Sequence, residues 1–236
     1  MSPRIGTAGW SLGAEQRKHA PEKGTHLERY AAVFNCVEID SSFYRSHQRK
    51  TYERWAASVP DDFRFSVKLP RTITHEAKLA GAGALLDQFL SEASGLGGKL
   101  GPLVVQLAPR HLFDAPVVDA FLAEFRARFP GPIACEPRHA SWFTGEADGL
   151  LARHRVTRIA ADPPPHHGAG SPGGWQALAY WRWHGSPEVY RSKYEAAAIS
   201  ALAEQVRGSA EAWVIFDNTM LGHAFFDAIE LRRALA

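Results

Sequence analysis

The sequence predicts an α/β protein built on one eight-stranded barrel, and three observations carry that expectation. Eight short β-like runs alternate with helical patterns along the chain. The 236 residues match the size such a barrel needs. Polar residues interrupt the strands at one parity, mostly near their C-terminal ends, where barrels of this kind keep their sites. The expected architecture is a single (β/α)8 TIM-type barrel, one domain over residues 1–236.

The runs are, in order, RIGTAG (4–9), CVEID (36–40), RFSVKL (64–69), LVVQLA (103–108), IACEP (133–137), RIAADP (158–163), LAYWRWH (178–184) and WVIFDN (213–218). Helical spacing separates them. Leu27, Tyr30, Ala31 and Phe34 fall three and four apart, as do Val118, Phe121, Leu122 and Phe125. LLDQFLSEAS and AAAISALAEQV read the same way. A doubly wound open sheet is the competing architecture, but it usually has fewer strands and a glycine-rich first turn. GTAGW is not G-x-G-x-x-G. GLGGKLGP (95–102) lacks the Lys-Ser/Thr ending of a phosphate loop and reads as a helix end leading into the fourth strand. PPPHHGAGSPGG (163–174) reads as a mobile loop after the sixth strand.

Composition narrows the function classes. Hydrophobic residues make up 45% and charged residues 22%, with a formal charge of +2. That charge exerts no strong pull on nucleic acid or membrane. No apolar run is long enough to cross a bilayer, and MSPRIGTAGW lacks the layout of a secretory signal. Cys36 and Cys135 are too few for a disulfide framework and read as reduced thiols, so a cytoplasmic location is expected. Nothing in the sequence specifies an oligomeric state.

Side chains alternate between the two faces of a strand, and in a barrel one face meets helices while the other points at the axis. Val37 and Ile39 belong against helices, which turns Glu38 and Asp40 inward. The same parity turns in Ser66 and Lys68, Gln106, Glu136 and Arg138, and Arg182 and His184. Asp162, Asn218 and Thr7 are assigned inward as well. Together they form a polar ring at the barrel mouth. The bland alternative is a buried network in which acids only neutralise Lys68, Arg138 and Arg182. Well-packed apolar residues do that job as cheaply, which favours a ligand site.

Several segments also carry a resemblance: IGTAGWS, YAAVFNCVEIDSSFYR, VPDDFRFSVKLPRTITHE, LGPLVVQLAP, CEPRHASWF, WRWHGSPEVY and FDNT occur in order. Together they resemble the bacterial YecE-like proteins, domain of unknown function 72, over essentially the whole chain. The resemblance implies a TIM-type barrel with no established activity. It puts the family's recurrent polar positions on Glu38, Lys68, Gln106, Glu136, Arg138, Arg182, His184 and Asn218. Asp40 stands where the family more often has Asn, and Ala108-Pro109 where it has Pro-Pro.

The ring suits a small anionic ligand, bearing phosphate or carboxylate, and metal-independent acid/base chemistry, with no cofactor called for. Lys68, Arg138 and Arg182 supply cationic donors, Gln106 and Asn218 neutral ones. Glu136 and Glu38 are the candidate general acids or bases and His184 their partner near neutral pH. Asp40 and Asp162 complete the charge balance, and Tyr44 and Trp142 are aromatic surfaces for stacking. A glycosidase pair at Glu38 and Glu136 is disfavoured because the commonest barrel glycosidases place their acids after strands four and seven, where this chain has Gln106 and Arg182. A metal-dependent phosphodiesterase would use Glu136, Asp162 and His184, against the repulsion of three nearby cations. A non-catalytic nucleotide or nucleic-acid module is opposed by the four acids at the mouth.

Overall fold

Two parallel-rich sheets form the body of the protein, described for residues 2–236 by a computed structural model. The strands are β1 (Arg4–Thr7), β2 (Cys36–Ile39), β3 (Arg64–Lys68), β4 (Leu100–Gln106), β5 (Ile133–Glu136), β6 (Val156–Arg158), β7 (Ala160–Asp162), β8 (Gly173–Gly174), β9 (Ala179–Trp183) and β10 (Ala212–Phe216). One sheet has the order β1-β10-β9-β7, the other β2-β3-β4-β5-β6-β8. Pairing is parallel throughout except for β8, a two-residue strand antiparallel to β6. It comes from the segment 163–174 that the sequence marks as a loop.

The continuous eight-strand ladder expected from the sequence is therefore divided in two, and each division has a local cause. The sixth predicted strand splits around Ile159: Val156–Arg158 pairs with β5, whereas Ala160–Asp162 pairs with β9. Ile159 spans the change, its amide donating to Cys135 O at 2.7 Å. Between β1 and β2, among the described residues, the backbone pairing consists of an Ala8–Glu38 bridge and a Gly9 N–H bond to Glu38 O of 2.9 Å. Farther back along the pair, the Tyr30 hydroxyl accepts from Thr7 N at 2.8 Å and donates to Cys36 O at 3.1 Å. Gly6 makes room for it, since a Cβ there would lie 2.8 Å from that hydroxyl and 2.2 Å from Cys36 O.

Helices α1 (Ala14–Arg17), α2 (His26–Ala31), α3 (Arg49–Ala57), α4 (Gly83–Ala93), α5 (Ala115–Arg128), α6 (Gly145–Arg153), α7 (Ala196–Arg207) and α8 (His223–Leu235) fill the connections. Their starts follow capping chemistry. Thr25 and Glu28 form a reciprocal capping box on α2, and Asp114 and Thr144 accept from the first turns of α5 and α6. The apolar stripe Val118, Phe121, Leu122 and Phe125 of α5 is buried, and each such side chain contributes about 1.5–3 kcal/mol. The segment 95–102 closes the α4 connection in a 3-10 turn, and β4 begins at Leu100. Among the described residues no helix is long and apolar enough to cross a membrane.

Two apolar clusters separate the faces of the sheets. Val37, Ile39, Phe65, Val67, Val105 and Leu107 pack with helix residues in the larger one. The smaller cluster joins Cys36, Val104, Ala134, Ile159, Leu178, Tyr180, Trp213 and Ile215, all from strands or their edges and none from a helix. Here the helix-free faces of the two sheets meet.

Candidate functional site

Continuing along the same parity from that inner cluster leads to the polar residues. Cys36 is followed by Glu38, Val104 by Gln106, Ala134 by Glu136, Tyr180 by Arg182 and His184, and Ile215 by Asp217. Registers align them: Gln106 pairs with Glu136, and Ile215 with Arg182. Strand alternation thus stacks a charged layer on an apolar one between the two sheets.

Arg182 is the hub and is fully buried. Its Nε donates to both oxygens of Glu38 at 3.2 Å and its Nη2 to Glu38 Oε1 at 2.7 Å. Nη1 donates to Glu136 Oε2 at 2.6 Å, and Nη2 also reaches Asp217 Oδ2 at 3.1 Å. His184 lies between two of the same acids, with Nδ1 3.0 Å from Asp217 Oδ2 and Nε2 3.1 Å from Glu136 Oε1. Glu136 accepts further bonds from Gln106 Nε2 at 3.2 and 3.3 Å and from Arg138 Nε and Nη2 at 3.2 and 3.0 Å. On the far side, Tyr180 OH donates to Glu38 Oε2 at 2.9 Å and contacts Ser66 Oγ at 2.9 Å. Lys68 Nζ bonds Asp40 Oδ1 at 2.9 Å and sits 4.2 Å above the Phe43 ring.

These contacts sort the acids. Burial pushes the carboxyls of Glu136 and Asp217 up, but Arg182 and His184 outweigh it and hold both below the usual range, Glu136 well below. Burial dominates at Glu38 and lifts it despite Arg182. Burial disfavours the His184 cation, yet Glu136 and Asp217 together raise its value above that of a free imidazole. Arg182 is shifted well upward by Glu38, Glu136 and Asp217 against its own burial. Breaking one member of such a set strands the rest; an unpaired buried charge costs about 3–5 kcal/mol.

Glu38, Asp40, Lys68, Gln106, Glu136, Arg138, Arg182 and His184 are brought together as the alternation implies. Asn218 and Asp162 are not. Asn218 turns its amide to Ser192 O at 2.8 Å and Asp227 Oδ2 at 2.7 Å, on the helix side of β10. Asp162 Oδ1 accepts from Tyr194 OH at 2.9 Å, and the inward neighbours in β7 and the preceding residue are Ala161 and Ile159. The trio Glu136, Asp162 and His184 is consequently not assembled. Among the described residues no group of three or more His, Cys, Asp or Glu side chains is arranged to hold a metal ion. Trp142 is packed away: it is buried against Phe113, with Nε1 donating to His111 O at 2.9 Å. Tyr44, 71% exposed, stands on the rim against Phe43.

Sequence reasoning missed Asp217 and Tyr180. Asp217 shares the parity of Trp213 and Ile215, but WVIF is apolar on both faces and hides the alternation. Tyr180 lies two residues before Arg182, and that spacing was the available signal.

One cleft opens onto this layer. Glu136, Arg138 and His184 form its polar side, and Pro109, Ala161, Pro163, Pro164, Pro165 and Val189 its apolar walls, enclosing about 290 Å³. Glu38 and Arg182 lie behind this lining and do not face it.

Comparison with known proteins supplies a family. The family model "Protein of unknown function DUF72" matches residues 4–236. The chain is 36% identical over 154 residues to UPF0759 protein YecE of Escherichia coli K12, covering 61% of this chain and 55% of that one. It is 27% identical over 150 residues to UPF0759 protein YunF of Bacillus subtilis, covering 59% and 52%. The matches thus span about half the length of these curated relatives. Among solved structures, a DUF72 family protein of Enterococcus faecalis superposes with a TM-score of 0.82 at 23% identity, covering 99% of this chain and 95% of that one. Another, of Thermotoga maritima, gives 0.79 at 25% identity, covering 100% and 99%. A family match over nearly the whole chain, together with these neighbours, leads to one conclusion: the chain belongs to the DUF72 family.

Proposed function

We propose that the chain is one TIM-type (β/α)8 barrel domain, and that it works as a cytoplasmic enzyme performing metal-independent acid/base chemistry on a small anionic ligand in the cleft beside His184. The barrel reading rests on the two joints between the sheets, at Ala8–Glu38 and across Ile159. Two buried free thiols, Cys36 and Cys135, suit a reducing compartment.

The observation that carries the function is His184 held between Glu136 and Asp217 at the edge of a proline-walled cleft that also contains Arg138. Arg138 spends Nε and Nη2 on Glu136, which leaves Nη1 to take the ligand's acid group. The prolines receive its apolar body. His184, its protonated form favoured by its two carboxylates, is the proton donor, delivering the Nε2 proton that rests on Glu136 Oε1. Glu136 stays ionised and sets the charge of the imidazolium instead of exchanging protons. Glu38 acts from behind, by orienting Arg182, and is a positioning residue in this scheme. Lys68, Asp40, Gln106 and Tyr44 extend the polar rim.

Benzoate, an acid group on a flat apolar body, is a direct probe. Followed by NMR, the His184 ring protons are expected to shift saturably in the wild type and not in Arg138→Gln. Identical titrations of the two proteins would refute the cleft as an anion site.

A further inference from the structure

Behind the turn that closes the cleft lies a second cavity. The end of β4 runs into Ala108–His111, a turn held by His111 N–H donating to Ala108 O at 2.9 Å. Pro109 of this turn walls the His184 cleft. Its neighbours Ala108, Arg110 and His111 wall a separate cavity of about 490 Å³ completed by the segment after β3. That segment is a π-helical turn, Thr72–Glu76, followed by Lys78 and Leu79 in the left-handed region at φ 49° and 71°.

The lining is cationic. Lys78 and Arg110 are exposed, and neither makes an ion pair or side-chain hydrogen bond with a described residue. His75 and His111 add two half-buried imidazoles. His75 Nδ1 is bonded to Thr74 Oγ1 at 2.9 Å, which leaves Nε2 for a ligand. Asp114 is the opposing charge at this edge, and its Oδ1 already accepts from Val117 N as the cap of α5. Leu112 closes the outer lip, 61% exposed. Lys78, Arg110 and the two imidazoles outnumber the single acid Asp114, and a ligand that brings further negative charge relieves their mutual repulsion.

We propose that this cavity is a second anion subsite, taking a phosphate-type group between Lys78, Arg110, His75 and His111. With the cleft reading on which this part rests, the ligand class becomes a molecule carrying two anionic groups, laid across the Ala108–His111 turn. One end sits on Arg138 and the other in the cationic cavity. The imidazoles tune the affinity. Burial, Lys68, Arg71 and Arg138 hold His75 below its ordinary value, and burial, His75 and Lys78 do the same at His111. An anion between them favours the protonated rings, so binding strengthens as pH falls through those depressed values.

The test uses inorganic phosphate and the ring-proton NMR signals of His75 and His111, assigned with His75→Gln and His111→Gln. Phosphate is expected to shift both signals saturably and to raise both pKa values. The double variant Lys78→Gln/Arg110→Gln is expected to weaken that binding about tenfold or more. The same double variant is expected to leave the benzoate response of the His184 ring unchanged, so failure of the cleft reading and failure of this subsite are told apart. Absence of a saturable shift, or the same affinity in the double variant, overturns the subsite.

Discussion

The two ends of the inner face are made by the same strands with opposite chemistry. At one end Tyr180 stacks on Trp213, centroids 6.0 Å apart and planes 6° from parallel, among Cys36, Val104, Ala134 and Ile215. One or two residues farther along those strands, Arg182 holds three carboxylates with no solvent contact of its own. The apolar end is held by contacts that adapt to small changes of shape. The charged end has a fixed stoichiometry, in which each member's charge is justified only by the others. The contrast implies that one end tolerates substitution while the other answers sharply to any change in charge or pH.

Removing the hub is expected to give the largest effect. Arg182→Met is similar in length but leaves Glu38, Glu136 and Asp217 buried against one another, at a cost of about 3–5 kcal/mol. Urea denaturation measures it; a loss under about 1 kcal/mol would show that the acids do not depend on the guanidinium.

Tyr180 joins the two ends, its ring in the apolar layer and its hydroxyl on Glu38. Tyr180→Phe keeps the stack and removes a bond to a buried carboxyl, with an expected loss of about 1.5–3 kcal/mol. An unchanged denaturation midpoint would mean that Ser66 and Arg182 satisfy Glu38 without it.

The smallest effect separates the ends by pH. His184 is raised from 6.5, so its contribution is complete below 6.5 and is lost as pH rises through the folded value. Glu136 and Asp217 are lowered from 4.5 and 3.8, so theirs is present above those values and lost as pH falls through the folded ones. Glu38, raised from 4.5, costs stability as pH rises, so the optimum is expected toward the acid end of a window between about pH 5 and 6.5. Ile215→Val, at the apolar end, should lower the whole curve by about 1 kcal/mol without changing its shape. His184→Gln should flatten the alkaline limb, and its persistence in that variant would remove His184 as the cause.

Much of this charged layer was legible where a strand alternates. VEID, FSVK, VQL and WRWH each set apolar residues at one parity and polar ones at the other, and the parity assigned Glu38, Lys68, Gln106, Arg182 and His184 to one layer. Alternation is lost at IAAD and WVIFDN. There both faces are apolar until the last turn, so a one-residue slip costs nothing in hydrophobicity and exchanges Asp217 for Asn218, or Ala161 for Asp162. The division into two sheets was illegible for another reason: it depends on where Ile159 changes partners and on a tyrosine hydroxyl, neither of which leaves a periodic trace.

That hydroxyl makes the β1–β2 boundary an unusual kind of joint. Elsewhere neighbouring strands are tied by peptide groups, which every sequence supplies and no point substitution other than proline removes. Here Tyr30 stands in for part of the missing ladder, and Gly6 keeps the space it needs. The protection of the Thr7 amide against solvent exchange is thereby written in a side chain. Within a fold otherwise fastened by its backbone, the strength of this seam is heritable one residue at a time.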